Sequence, residues 1–352
     1  MSIIAVDAMG GDNAPNAVVL GCIQAAKKGV PLALFGKKEK LIRLFDSFLP
    51  DWQKTLSVTI FDSTDVITME SISIRQMVKR KKSSMYLALD ALKNHTVAAC
   101  VSAGNSAAMH ALANILLGRI PGILRPALGG VLPSVEGSPI YCLDLGANTD
   151  CKAVHLEQFA HMAEVYVKEM LDIPSPRVGL LSNGHEPYKG SLVVREAFAS
   201  LTKSNLHFVG NVEARDVFYG PEILVCDGFV GNIMLKTAQG TVKALLGMLA
   251  KEAKNSFLSK CLLGISNPIL KKVNARFDYV KSGGALLLGI RKPVIIAHGS
   301  SNGNAIENAI LFAHQLISND KLTRVNDRLE ALFSNKLLSR QLFKFAMTEY
   351  NL

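Results

Sequence analysis

Aromatic side chains are scarce in this 352-residue chain, at 7% with a single tryptophan, and no RNA- or DNA-binding signature is present. Nucleic acid is therefore not expected as a partner. The six cysteines (Cys22, Cys100, Cys142, Cys151, Cys226 and Cys261) form no C-x-x-C pair. Three of them lie in or at the ends of apolar runs, which predicts buried free thiols in a reducing cytoplasm. No apolar run reaches the roughly 18 residues of a membrane-spanning helix, and the chain enters its first apolar run at Ile3 without a basic or signal-peptide-like leader. No G-x-G occurs among the 27 glycines, which removes the dinucleotide fingerprint, and the G-x-x-x-x-G-K-[ST] loop is missing too. There is no H-E-x-x-H, and the eight histidines show no zinc spacing. His155 and His161 share a helical pattern but fall on different faces. No metal and no organic cofactor is expected.

Positive charge is in excess. The formal net charge is +10 and the pI is about 9.3, which favours an acidic partner such as an anionic membrane or an acidic carrier protein. The densest basic run, Lys79-Arg80-Lys81-Lys82, reads either as a solvated helix end or as a docking patch. The 49% hydrophobic content supports a large core. No internal repeat or low-complexity linker divides the chain, so residues 1–352 are read as one α/β unit.

Six apolar runs each stop at a cluster of small polar residues. Ile3–Val6 meets Asp7–Asp12, Val97–Val101 meets Ser102–Ser106, and Ile140–Leu143 meets Asp144–Asn148. Val178–Leu181 meets Ser182–Glu186, Ile223–Cys226 meets Asp227–Asn232, and Val294–Ala297 meets His298–Asn302. Helical periodicity follows nearly every cluster. Strand, small polar loop, helix is the pattern of a doubly wound, mostly parallel sheet buried on both faces. Such a sheet is expected to gather its strand-end loops on one side, where ligands bind. Loops of this chemistry are rich in backbone N–H groups and amides and suit an oxyanion.

Further elements are predicted between these. Helices are expected over Ala14–Lys28, Lys38–Phe48, Ser71–Lys81, Met85–Asn94, Asn105–Gly118, Lys152–Leu171, Val193–Leu201, Gly231 to about Lys254, and from Ala305 onward. Strands are expected at Pro31–Phe35, Ser57–Phe61, Leu128–Leu132 and Gly284–Ile290. Along Phe257–Val273, Phe257, Leu258, Cys261, Leu262, Ile265 and Ile269 share a face flanked by lysines. That segment reads either as an interfacial membrane anchor or as a helix packed into the core or a subunit interface.

Gly299-Ser300-Ser301-Asn302-Gly303 matches the G-x-S-x-G nucleophile elbow. The only downstream histidine, His314, falls in the same predicted helix, so no triad assembles, and a helix N-cap or anion loop is the expected role. Lys189 follows a strand-end loop and is a candidate anion ligand. Lys236, inside a predicted helix, reads as structural.

The loop sequences, in this order and spacing, resemble the bacterial phosphate acyltransferase family. The stretches that carry the resemblance are Ala5–Asp12, Val101–Asn105, Arg125–Leu128, Leu143–Asn148, Val225–Asn232 and His298–Asn302, and it spans Ile3 to about Phe312. Gly284–Val294 is also similar to the corresponding part of phosphotransacetylase. The resemblance implies a Rossmann-like three-layer α/β/α fold of the isocitrate dehydrogenase and phosphotransacetylase kind, with a helical protrusion at about residues 240–281. It implies a homodimer that converts long-chain acyl-acyl-carrier protein and inorganic phosphate to acyl phosphate and free carrier in phospholipid synthesis. The product would feed a membrane glycerol-3-phosphate acyltransferase. The protein would be cytoplasmic and peripheral to the inner face of the membrane, with Phe257, Leu258, Leu262, Ile265 and Ile269 in contact with it.

The family's catalytic lysine and asparagine map to Lys189 and Asn232. Phosphate and substrate are expected at Asp7, Gly10, Gly11, Asn105, Asn148, Asp227, Gly231, His298, Ser300 and Ser301. The loop before Lys189 departs from the family's Asn-Ile-Gly-Glu-Glu, reading Ser182-Asn183-Gly184-His185-Glu186-Pro187-Tyr188, so His185 has no inherited role. A coenzyme A-dependent phosphotransacetylase-like enzyme and a non-catalytic lipid- or carrier-binding scaffold remain as alternatives.

Overall fold

Short apolar runs with no polar face can satisfy their backbones only inside a sheet covered on both sides. The computed structural model describes residues 2–68, 73–253, 264–273 and 283–334, and these runs become its strands. In chain order they are β1 (Ile4–Asp7), β2 (Leu32–Gly36), β3 (Val58–Asp62), β4 (Ala99–Ser102), β5 (Ala127–Leu132), β6 (Ile140–Leu143), β7 (Val178–Ser182), β8 (Phe208–Glu213), β9 (Ile223–Val225), β10 (Ala285–Leu288) and β11 (Val294–Ile296). They form one sheet in the order β3-β2-β1-β4-β11-β10-β5-β6-β9-β7-β8.

Alternation along the strands feeds two apolar layers. Ile4 and Val6 of β1, with Leu32 and Leu34 of β2, pack into one cluster. Helices α1 (Asn16–Lys27), α2 (Lys38–Phe48) and α11 (Gly303–Ser318) supply the other side of that layer. Ala5 and Cys100 face the opposite layer, with α5 (Ser84–Lys93) and α6 (Ser106–Leu117). In the second half of the sheet, Leu143, Leu180 and Val225 pack with α7 (Ala153–Met170) and α8 (Leu192–Leu201). Their neighbours Cys142, Leu181 and Cys226 meet Met234 and Leu235 of α9 (Gly228–Glu252). The expected three-layer α/β/α arrangement with a mostly parallel sheet is therefore observed. α1 lies directly on α11 because Gly21 has no side chain; a Cβ there would stand 2.6 Å from the Gly303 carbonyl oxygen.

The sheet is not doubly wound in one direction, which corrects the expectation that all six loops gather together. β3, β2, β1, β4 and β11 are mutually parallel, and so are β6, β9, β7 and β8. Between these blocks every step from β11 to β10, to β5, to β6 is antiparallel. An odd number of reversals leaves the two blocks pointing opposite ways. The loops after β1, β4 and β11 thus form one group, and those after β6, β7 and β9 form another.

Smaller differences have local causes. β8 and the 3-10 turn Ala214–Tyr219 were not expected, because β8 is an edge strand with mixed polarity and a glycine at Gly210. α3 (Trp52–Thr55) is a single buried-tryptophan turn. α4 (Ile74–Lys79) is shorter than the expected helix, starting at a Ser73–Gln76 capping box. α9 begins at Gly228, three residues before the expected Gly231, because Asp227 caps it. Residues 264–273 form a further helix, α10, and α12 (Lys321–Ser334) follows α11. Ile265 and Ile269 on α10 are 77% and 66% exposed, whereas Phe257, Leu258, Cys261 and Leu262 lie outside the described residues. Among the described residues no helix is long and apolar enough to cross a membrane. Cys22, Cys100, Cys142 and Cys226 are buried free thiols as expected, and Cys151 is half-buried and also free.

Two stability outcomes follow. A methyl group at Gly129 on β5 would run into the Tyr141 ring on β6, so Gly129→Ala is expected to cost about 1–3 kcal/mol in chemical unfolding. His155 accepts a hydrogen bond from Lys152 N at 3.0 Å. Burial, with the nearby Arg125 and Lys152 charges, pushes its pKa down to about 4 from 6.5. Between those values the unfolded chain takes up a proton that the folded chain refuses, so stability falls as pH drops through that window. Unfolding curves at neutral and mildly acidic pH should show His155→Gln losing about 2 kcal/mol of this dependence.

Candidate functional site

The second loop group is built on a buried carboxylate. Asp144 follows β6 and is fully buried. Its Oδ1 accepts hydrogen bonds from the backbone N–H of Leu128 (2.9 Å), Gly146 (3.1 Å) and Ala147 (3.0 Å). Its Oδ2 accepts from Asn148 N at 2.7 Å and Asn148 Nδ2 at 2.8 Å. Burial raises the Asp144 pKa, and these hydrogen bonds oppose that shift. Asn148 Nδ2 also reaches the Pro126 carbonyl at 2.8 Å, and the Asn148 carbonyl accepts from Gly228 N at 2.7 Å. The β6 loop therefore fixes the start of α9.

Two glycines let α9 approach this closely. A Cβ on Gly228 would sit 2.8 Å from Asn148 N, and one on Gly231 would meet the Asp144 carbonyl. Asp227 Oδ1 accepts from Val230 N at 2.9 Å, and the Asp227 carbonyl accepts from Gly231 N at 2.9 Å. The N–H of Gly231, a residue expected from the family resemblance to meet substrate, is thus already engaged. What α9 offers instead is the half-buried Asn232 side chain, whose Cβ lies within 3.6 Å of where a Cβ on Gly146 would stand. Arg125 donates to the Asp150 carbonyl at 2.6 Å, and its charge is felt at Cys151 together with those of Asp144 and Asp227. Burial pushes the Cys151 thiol up to about 12, so it is not a thiolate nucleophile.

The loop after β7 carries Lys189. Asn183 Oδ1 accepts from Gly190 N at 2.8 Å, closing the loop, and Lys189 N donates to the Glu186 carbonyl at 3.0 Å. The Lys189 stem lies over Gly184, where a Cβ would be 2.8 Å from its Cγ. Its ammonium sits 5.7 Å from the centre of the Tyr188 ring and pairs with no carboxylate among the described residues. His185 turns away toward β8, with Nδ1 3.2 Å from the Asn211 carbonyl and Nε2 3.2 Å from Asp216 Oδ2. His185, Glu213 and Asp216 offer three possible ligand atoms within 4.8 Å of one another. Arg215 already pairs with Glu213 at 2.8 Å, so this is a self-compensated ion-pair network that pins the loop.

The first loop group is built the same way around Asp7, which is also buried. Ser102 Oγ donates to Asp7 Oδ2 at 2.8 Å and accepts from Gly104 N at 3.0 Å. Gly10 and Gly11 let the β1 loop lie against Gly104 and Gly299, and Asp12 N donates to the Gly299 carbonyl at 2.8 Å. Asn13 Nδ2 donates to the Ser300 and Ser301 carbonyls at 3.1 and 3.2 Å. His298 Nδ1 is 2.8 Å from Ser300 Oγ. Asn105 caps α6 through Ala108 N at 3.1 Å, and Asn302 caps α11 through Ala305 N at 3.0 Å. The capping role expected for the Gly299–Gly303 loop holds, and His314 contacts Ser318 rather than a serine of that loop.

The structure therefore brings Asp7, Gly10, Gly11, Asn105, His298, Ser300 and Ser301 into one group. Asn148, Asp227, Gly231, Asn232 and the Lys189 loop form the other. Beside the second group runs a groove of about 850 Å³. Val194, Val217, Phe218, Val230, Ile233, Met234 and Val242 line much of it, and Ser182, Asn183, Ser191, Arg215, Asp227, Thr237 and Thr241 are its polar lining residues. Asp144, Arg125, Ser182 and this groove were not singled out from the sequence. Asp144 and Arg125 sit inside the motifs that carry the family resemblance, which was the available signal.

Comparisons with known proteins agree with this architecture. A family model described as fatty acid synthesis protein matches residues 2–324. The phosphate acyltransferase of Geobacillus sp. (strain WCH70) is 40% identical over 330 residues, covering 93% of this chain and 98% of that one. Among solved structures, a phosphotransacetylase from Streptococcus pyogenes superposes with a TM-score of 0.59 at 18% identity, over 90% of this chain and 94% of that chain. A 4-hydroxythreonine-4-phosphate dehydrogenase from Klebsiella pneumoniae does so with a TM-score of 0.52 at 13% identity, over 90% and 99% of the two chains. At these identities the two structures share the fold alone.

Replacing Asp144 tests its place in the scaffold. Asp144→Ala strands a set of buried donors, and thermal or urea unfolding should show a loss of about 3 kcal/mol or more. Asp144→Asn keeps one acceptor oxygen and is expected to lose less.

Proposed function

This chain belongs to the phosphate acyltransferase family, whose members transfer an acyl group to phosphate, and we propose that its donor is a long-chain acyl thioester of acyl carrier protein. The products are acyl phosphate and free carrier, for use in phospholipid synthesis. One observation carries this reading: the loop after β7 that carries Lys189, whose ammonium pairs with no carboxylate among the described residues, borders an apolar groove along α9.

The chemistry asks little of acid–base groups. A phosphate oxygen forms the bond to the thioester carbonyl carbon, the C–S bond breaks, and its electron pair leaves on sulfur as a thiolate. Thiols have a pKa of about 8.5, so that leaving group needs no strong acid and takes its proton from solvent afterwards. What is required is two anions held in attack geometry and a donor for the developing oxyanion. Lys189, with Arg125, neutralises phosphate. The Asn232 amide donates to the oxyanion, while Asp227 and Gly231 hold the first turn of α9 in place. Asn148 fixes that turn from below.

The first loop group joins this site through sheet twist. Five steps separate β4 from β9. At about 20–25° per step the strands rotate by about 100–125° between them. Antiparallel blocks rotated this far bring their C-terminal ends toward a common cleft. There Gly10, Gly11, Asn105, His298, Ser300 and Ser301 position phosphate or the carrier arm, and Asp7 orients Ser102 and Gly104.

The +10 charge suits an acidic carrier protein. The exposed Ile265 and Ile269, beside Lys271 and Lys272, suit contact with the inner face of the cell membrane. Phe257, Leu258 and Leu262 would extend that contact. A cytoplasmic homodimer there would release acyl phosphate next to a membrane glycerol-3-phosphate acyltransferase.

Acyl phosphate formation by the purified protein, with palmitoyl-carrier protein and acetyl-coenzyme A as competing donors, tests the reading. The carrier-bound donor should be strongly preferred. Lys189→Ala and Asn232→Ala should each lose about 100-fold or more, the usual scale for one such donor. Lys236→Ala, on the exposed side of α9, should stay within about twofold. Wild-type rates in both site variants, with folding intact, would end this assignment.

A further inference from the structure

We infer that Asn211 and His185 are positioning residues for Lys189. They pin its loop to β8 and the turn after it, and the His185 contacts close fully only when that ring is an imidazolium. The inference rests on the reading of Lys189 given above and adds the groups that hold it.

The first point of attachment is Asn211 on β8, which is buried. Its Nδ2 donates to the Glu186 carbonyl at 2.9 Å, and the same carbonyl accepts from Lys189 N at 3.0 Å. The turn that carries Lys189 is thereby tied to the neighbouring strand as well as within itself.

The second point is His185. Its Nδ1 lies 3.2 Å from the Asn211 carbonyl oxygen, and its Nε2 lies 3.2 Å from Asp216 Oδ2. A carbonyl oxygen and a carboxylate oxygen both accept, and neither donates. A neutral imidazole has one N–H and one lone pair, so it fills one of these contacts and turns its lone pair against the other. The imidazolium donates to both. Glu213, at the end of β8, has Oε1 3.8 Å from Nε2, and its Oε2 pairs with Arg215 at 2.8 Å. Arg215 also stands 3.7 Å from Asp216 Oδ2. Glu213, Asp216 and Arg215 sum to one negative charge, which a cationic ring balances. On the ring's own loop, Glu186 Oε2 and the Lys189 stem both lie over Gly184, where a Cβ would stand 2.9 Å and 2.8 Å from them. Histidine exchanges its charge between about pH 5 and 8, so the loop is held more firmly on the acid side of that range. Holding matters because a misplacement of about 1 Å costs on the order of 100-fold in rate.

Acyl phosphate formation from palmitoyl-carrier protein by the full-length protein, at about pH 6 and about pH 8, tests this. The kcat/KM of wild type relative to His185→Gln should fall from about tenfold at the lower pH to about twofold or less at the higher, the scale of one hydrogen bond to a charged group. Comparing the two proteins at each pH cancels the ionisation of phosphate itself. Asp216→Asn places an amide donor opposite Nε2, so a neutral ring fills both contacts. Its rate should match wild type at the lower pH and exceed it at the higher, a rescue that a merely structural role would not give. Hydrogen exchange of the Lys189 loop, corrected for the intrinsic rate at each pH, should follow the same pattern without turnover. Equal loop protection and equal rates for wild type and His185→Gln at both pH values overturn the inference. Loop protection that changes as expected while every rate stays at the wild-type value overturns the assignment of Lys189 instead. A wild type that forms no acyl phosphate overturns the acyl-transfer reading, and exchange alone then decides whether the two attachments hold the loop.

Discussion

Three consecutive antiparallel pairings in the middle of an otherwise parallel sheet decide the shape of this molecule. β10 and β5 lie side by side between two parallel blocks, so each block sends its strand ends the opposite way along the strands. A chain that kept one direction throughout would line all its loops along one edge. Here each half builds its own loop group, and any joint site must form between them.

Both groups rest on the same device, a buried aspartate at the end of a central strand. Asp7 takes Ser102 Oγ and Met9 N, and Asp144 takes four backbone N–H groups and one amide. A carboxyl group buried this deeply is costly unless its lone pairs are filled, and the loops are shaped to fill them. The shaping requires glycine where backbone must pass close: at Gly10 beside Gly104, and at Gly228 and Gly231 beside the Asp144 loop. These residues act through other residues. They set where Asn232 and the helix starts are held.

α9 has two duties along its length. Its first turn is pinned by Asp227, Asn148 and the Asp144 loop and carries Asn232. Its next turns leave the core and offer an aliphatic face beside the lysine loop. The His185 network ties the Lys189 loop to β8 and the 3-10 turn after it.

Nearly every strand, the long helices and the capping asparagines Asn105 and Asn302 were legible in the sequence, because burial on both faces, helical period and cap chemistry are local properties. The loop motifs also pointed to the family, and through it to Lys189 and Asn232. Strand direction was not legible, since an apolar run carries no mark of whether its neighbour is parallel, and so one expected cluster of loops became two. The edge strand β8 escaped because its mixed polarity reads as loop, and the start of α9 moved because Asp227 was read as loop and not as a cap. Asp144 and the groove were not legible in the sequence for a common reason. A carboxylate gains its meaning from the five donors that surround it, and an aliphatic stripe gains its meaning from the wall that faces it. Sequence alone determined the elements and the chemistry of their loops; tertiary structure decided which of them meet, because pairing direction and twist are properties of the whole sheet.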